Sequence, residues 1–120
     1  RRAAGRKHTL MPLSLQESYE LALDADFRKK AVAAFLRFSG TIGGLSDTDL
    51  TAAEPTRTAA GLRAVSQQIF RDVRTSEGQL RLALVLASYA DLDPADDASI
   101  LTYARTAIVA MVPVADVVDP

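Results

Sequence analysis

Residues 98–112 read ASILTYARTAIVAMV, preceded by DLDPADD at residues 91–97. Ala98, Leu101, Ala104, Ile108 and Met111 recur at steps of three and four, which is the spacing of one face of an α-helix. The start signal is clear. Asp93 can cap, Pro94 suits a first helical turn, and Asp96 and Asp97 put negative charge where the helix dipole favours it. Pro113 ends the pattern. The stretch predicts a helix made to be buried, closing an all-α protein.

Working back from it, the same kind of signal repeats. LRLALVLASYA at residues 80–90 is apolar nearly all round, which suits the middle of a bundle or an interface. Ser76 and Gln79 have capping-box spacing ahead of it and predict a helix over about 77–90. Leu62, Val65, Ile69 and Val73 predict a third helix over 55–72, with Pro55 in its first turn. Phe27, Ala31, Ala34 and Phe38, widened by Val32 and Phe35, predict a second, which Gly40 can stop. Ser14 and Glu17 form a capping box for a first helix over 15–23. Between the second and third, TIGGLSDTDLTAAE at residues 41–54 reads as a long loop, mobile when the protein is alone. No strand-like alternation of useful length and no internal repeat appears. The expectation is a small bundle of about five helices: a basic flexible arm at 1–13, one helical domain at 14–115 and a C-terminal tail at 116–120.

Bulk properties narrow the chemistry. A chain of 120 residues fits one domain with a modest core. It has no cysteine, hence no disulfide framework, thiolate site or cysteine nucleophile. The formal charge is −1, but Arg1, Arg2, Arg6 and Lys7 stand together at the start. Without them, ten cations face fifteen anions, a net charge of −5. Such an arm can bind nucleic acid or an acidic partner. It reads more readily as a leader or processing remnant, with Met11 as an original start. The longest apolar run, IVAMVPVA at 108–115, is far below the roughly 20 residues that span a bilayer.

Candidate catalytic patterns fail on their chemistry. His8, the single histidine, lies in the arm, where no rigid triad can be built around it. Asp93, Asp96 and Asp97 lack the alternation, glycine and distal glutamate of a calcium loop, and capping explains them. SDTD at 46–49 is no better as a metal site. GTIGG at 40–44 has no following lysine and no preceding strand, so it is not a phosphate loop. No enzyme, cofactor, metal site, small-molecule substrate or membrane association is expected. DNA binding through a helix-turn-helix wants a polar, basic recognition helix, and residues 80–90 are the opposite. A DNA-associated regulator stands as the alternative, resting on the arm with Arg28, Lys29 and Lys30. What remains is protein contact, with Leu82, Leu86, Tyr89, Leu101 and Ile108 as candidates for packing or partner binding.

The order of segments also resembles that of a family. FRKKAVAAF, a loop, AAGLRAVSQQIFRDV, LALVLASYADL and DDASILTYARTAIVAMV are similar in layout to small all-helical structural proteins of tailed bacteriophages. Phe27, Arg28, Lys30 and Ala31 match an early F-x-x-[RK]-[VA] pattern. Asp97 and Ile100 match a late D-x-x-I that leads into an amphipathic helix, continued by Ile108. The resemblance covers about residues 15–115. It implies a virion component at the head–tail neck, as connector or adaptor, or on the capsid. Its partners would be copies of itself and other virion structural proteins, reached through the fourth and fifth helices, the arm and the long loop.

Overall fold

The structure is a computed structural model that describes residues 13–115. It is all-α, with α1 Leu15–Leu23, α2 Ala25–Gly43, α3 Asp47–Ala53, α4 Ala59–Asp72, α5 Ser76–Ala87 and α6 Asp97–Met111. That is one helix more than the sequence predicts among the described residues. The arm residues Arg1, Arg2, Arg6 and Lys7, with His8, and the tail 116–120 lie outside them.

The boundaries follow from the caps. α1 begins with the expected capping box: Glu17 N–H donates to Ser14 Oγ at 3.1 Å, and Ser14 N–H donates to Glu17 Oε1 at 2.9 Å. Asp24 ends α1 and at once starts α2, accepting from Phe27 N–H at 3.0 Å. A one-residue junction therefore fixes the first two helices against each other. α2 does not stop at Gly40. Its last turn continues to Gly43 because Ile42, only 2 % exposed, is packed into the core.

The expected long loop is corrected by the same logic. Thr41 to Gly43 belong to α2, and Asp47–Ala53 form α3. Ser46 caps α3 by accepting from Asp49 N–H at 3.1 Å, Asp47 and Asp49 supply its negative first turn, and Leu50 buries it. α4 starts at Ala59 rather than Pro55, since Thr58 Oγ1 takes the Gly61 N–H at 2.9 Å. Pro55 sits in the preceding turn, closed by Arg57 N–H onto the Glu54 carbonyl at 3.0 Å. α5 is capped by Thr75, not Ser76, and Gln79 donates its amide to the Val73 carbonyl instead of returning to the cap. At α6, Asp93 closes a local turn onto Ala95 N–H, so Asp96 caps and Pro94 stays outside the helix.

α2 is the central element, with principal contacts to α1, α4, α5 and α6. Phe27, Ala31, Ala34, Phe35, Ser39 and Ile42 form its buried face. Phe35 is fully buried, while Phe38 is half-buried at the edge. Leu62, Ile69, Leu82, Leu86, Ile100 and Ile108 meet that face from the other helices. Each fully buried side chain of this size contributes on the order of 1.5–3 kcal/mol. In α6 the buried positions are Ile100, Ala104, Ala107 and Ile108, so its inward face is turned from the expected stripe. Ala98 and Met111 are exposed. The helix carries apolar residues on more than one side, so spacing alone did not select the inner one.

After α6, Val114 pairs with Arg57 in an isolated antiparallel bridge, and Ala115 N–H donates to the Thr56 carbonyl at 2.9 Å. One close approach is built with glycine. A Cβ on Gly78 would lie 1.9 Å from the Asp72 carbonyl oxygen, so α5 can begin this near the end of α4 only without a side chain there. Gly78→Ala should cost about 1–3 kcal/mol in urea unfolding through this backbone clash. Unchanged stability would show that the α4–α5 turn has room to open.

Candidate interaction surface

The five residues singled out from the sequence occupy three kinds of place. Leu82, Leu86 and Ile108 are core residues, at 3 %, 0 % and 0 % exposure. Of the two roles open to them, packing is the one they fill. Tyr89 and Tyr103 stack on each other at 4.7 Å between ring centroids, both half-buried. Leu101 is half-buried and lines a surface groove. The apolar helix α5 is covered by α1, α2 and α6, which hides what sequence reading expects to be excess apolar surface.

Phe70, Met111 and Val114 are exposed apart from one another, but on α1 three large apolar side chains are exposed together. Leu15, Tyr19 and Leu23 are 87 %, 47 % and 48 % exposed and stand four residues apart, in one row along α1. The other side of α1 is seated: Ser18 and Ala22 are buried, and Ser18 Oγ donates to the Ala87 carbonyl at 3.0 Å. This hydrogen bond to the end of α5 fixes which face turns outward. By apolar content alone Leu15 and Tyr19 would count as packing residues. The signal missed is that Ser18 and Ala22, small residues four apart, allow close approach to α5 while the larger side chains stay out. From Ser14 to Phe27 the chain has four carboxylates (Glu17, Glu20, Asp24 and Asp26) and no cation.

A second surface runs between α2 and α6. Three adjoining depressions share their walls: Arg37 and Leu101 belong to the first and second, Thr102 and Arg105 to the second and third. Together they form a groove of three depressions along the outer side of α6 from Asp97 to Ala110, the first two against α2 and the third against Glu54 and Arg57, with Arg105 standing between the second and the third. At 1.5 Å per residue this is roughly 20 Å long. Its apolar floor comes from Ala33, Ala34, Phe38, Leu101 and Val109. Lys30, Arg37, Arg57 and Arg105 supply cations, against Asp97 and Glu54.

These cations are not equally committed. Lys30 stands 3.6 Å from Asp26, and Arg105 pairs with Glu54 while lying 5.7 Å from the centre of the Phe38 ring. Arg57 donates to the Val109 and Thr56 carbonyls and the Thr56 hydroxyl. Among the described residues, neither Arg57 nor Arg37 is paired with a carboxylate. Elsewhere, arginines hold the short helix and the turns. Arg63 reaches both Asp47, at 2.8 Å, and the Leu45 carbonyl, at 2.7 Å, which ties α3 to α4. Arg81 grips Asp72 with two hydrogen bonds. Those bonds, with the charge of Asp72, hold the Arg81 guanidinium pKa above its ordinary value.

An apolar hollow between α4, α5 and the end of α6 is lined by Val65, Ile69, Val85 and Met111, with the Arg81–Asp72 pair at its rim. Among the described residues, no group of three or more metal-ligating side chains is placed to hold an ion, and no helix is long and apolar enough to cross a membrane. No family model, curated protein or solved structure matches this chain. Its surface chemistry is therefore read from its own residues.

Two substitutions separate the core from the surface. Leu86→Asp places an unpaired carboxylate in the core and should cost several kcal/mol, enough to unfold a marginal domain. Tyr19→Asp, at an exposed site, should change stability by less than about 1 kcal/mol. Thermal unfolding followed by circular dichroism checks both. A folded Leu86→Asp protein would contradict the assigned core.

Proposed function

We propose that this chain is a structural protein of a tailed-phage particle that works by protein–protein assembly at the head–tail neck, as connector or adaptor, or on the capsid surface. The observation that carries the reading is the row of Leu15, Tyr19 and Leu23, left open on a bundle whose core is otherwise closed. Three large apolar side chains in one exposed row are a contact surface in search of a neighbour. The layout of segments, with Phe27, Lys30 and Ala31 early and Asp97 and Ile100 late, supports placing that neighbour in a virion. Phe27, Ala31 and Ile100 are core residues and Asp97 opens α6. The resembling positions are thus packing and helix-start positions, which suits a scaffold that presents surfaces.

Peptide mass spectrometry on gradient-purified particles from the source culture tests this. Peptides of this chain at a fixed ratio to the major capsid protein are expected, and the ratio separates neck from shell. A chain found in the soluble lysate and missing from particles would overturn the reading. Duplex binding that weakens steeply with salt would then favour the DNA-associated regulator.

A further inference from the structure

We infer that the α1 face of one copy seats in the α2/α6 groove of a second copy, joining subunits head to tail. The inference rests on the assembly reading above and gives it a geometry. The two surfaces are complementary in three respects.

The first is charge. α1 and the Asp24 that closes it carry Glu17, Glu20 and Asp24 with no cation in the sequence from Ser14 to Ala25, whereas the groove has Lys30, Arg37, Arg57 and Arg105 against Asp97 and Glu54, with Lys30 already held by Asp26 and Arg105 by Glu54. Within the groove, Arg37 and Arg57 have no carboxylate of their own among the described residues, so an incoming acidic helix meets Arg37 and the one guanidinium nitrogen of Arg57 not already bonded to Thr56 and Val109. The second is polarity. Leu15, Tyr19 and Leu23 form one exposed apolar row, and the groove floor offers Phe38, Leu101 and Val109 between its cations. The third is size. α1 has nine residues, about 14 Å of helix, and lies within a groove of roughly 20 Å.

The surfaces are also separate. α1 packs on α5 and α2, and the groove follows α6, which is not among α1's principal contacts. A face and a groove on different parts of one molecule make a heterologous contact, which leaves a free groove at one end and a free α1 at the other. One nine-residue helix buries less than the roughly 1,200 Å² of a standard stable interface. Each joint is therefore weak alone, and assembly depends on concentration.

Sedimentation equilibrium of the purified full chain tests the inference through two disabled forms. Tyr19→Asp spoils the α1 face. Arg37→Glu combined with Thr102→Glu spoils the groove, at two exposed positions. Wild-type chain should associate progressively with concentration, and its association constant should fall about tenfold between about 0.05 and 0.5 M salt as the charges are screened. Each disabled form should be monomeric. Their equimolar mixture should give a dimer and nothing larger, since one chain contributes the intact α1 and the other the intact groove. Circular dichroism confirms the fold of each form, and Glu20→Lys replaces Tyr19→Asp if that chain fails to fold.

A mixture that stays monomeric would overturn the pairing, as would association that survives both sets of substitutions. A wild-type chain monomeric at low salt and high concentration would also overturn it. Peptides of the chain in purified particles would still uphold the assembly reading in that case, so the two can fail independently.

Discussion

The fold depends on burying one face of α2. Phe27, Ala31, Ala34, Phe35 and Ile42 lie along that face, and α4, α5 and α6 are all held against it. Hydrophobic burial is non-directional, so it brings these helices together without fixing their order. Order comes from short, capped connections. Asp24 joins α1 to α2 through one residue, Gly78 lets α5 start almost on top of Asp72, and Asp93 and Asp96 divide the α5–α6 link into a turn and a cap. Arginine side chains add long-range ties of modest individual worth. Arg63 holds α3 to α4 and Arg105 holds the end of α3 to α6.

That arrangement decides what reaches the surface. α5, apolar nearly all round, buries Leu82, Ala83, Leu86 and Ala87 against its neighbours and leaves Leu80, Leu84 and Val85 half-buried. α1 is amphipathic in a different sense: Ser18 and Ala22, with Leu21 at their edge, face the bundle, and Leu15, Tyr19 and Leu23 face outward. A helix seated by its small side chains approaches closely, and its larger side chains remain for another partner. The groove beside α6 lies where α2 and α6 pack together, with Arg37, Leu101 and Arg105 flanking the seam.

Most helices were legible in the sequence, because spacing and caps act locally. Ser14 and Glu17 mark α1 correctly, and α2, α4, α5 and α6 all lie where periodicity places them. The errors have physical causes. Glycine at 40 and 43 signals an end of helix, yet burial of Ile42 repays the propensity cost of about 1 kcal/mol. Ser46, Asp47 and Asp49 signal a helix start, but a seven-residue helix has too few apolar positions to show a period. Neighbouring candidates compete to cap: Thr75 displaces Ser76, and Asp96 displaces Asp93, as tertiary contacts choose among local options. The candidate surface was less legible. Apolar content pointed to Leu82, Leu86 and Ile108, whereas exposure depends on which helices cover one another, and no local pattern carries that.

The central claim is that the open apolar row belongs to α1, while Leu82, Leu86 and Ile108 are closed into the core by the domain itself. Methyl NMR of the monomeric chain with a soluble nitroxide added measures it directly. Leu15 and Leu23 methyls should broaden strongly, while those of Leu82, Leu86 and Ile108 should be spared. Equal broadening of Leu86 and Ile108, or protection of Leu15 and Leu23, would place the contact surface on the wrong helix and contradict both the seating of α1 by Ser18 and the assembly built on it.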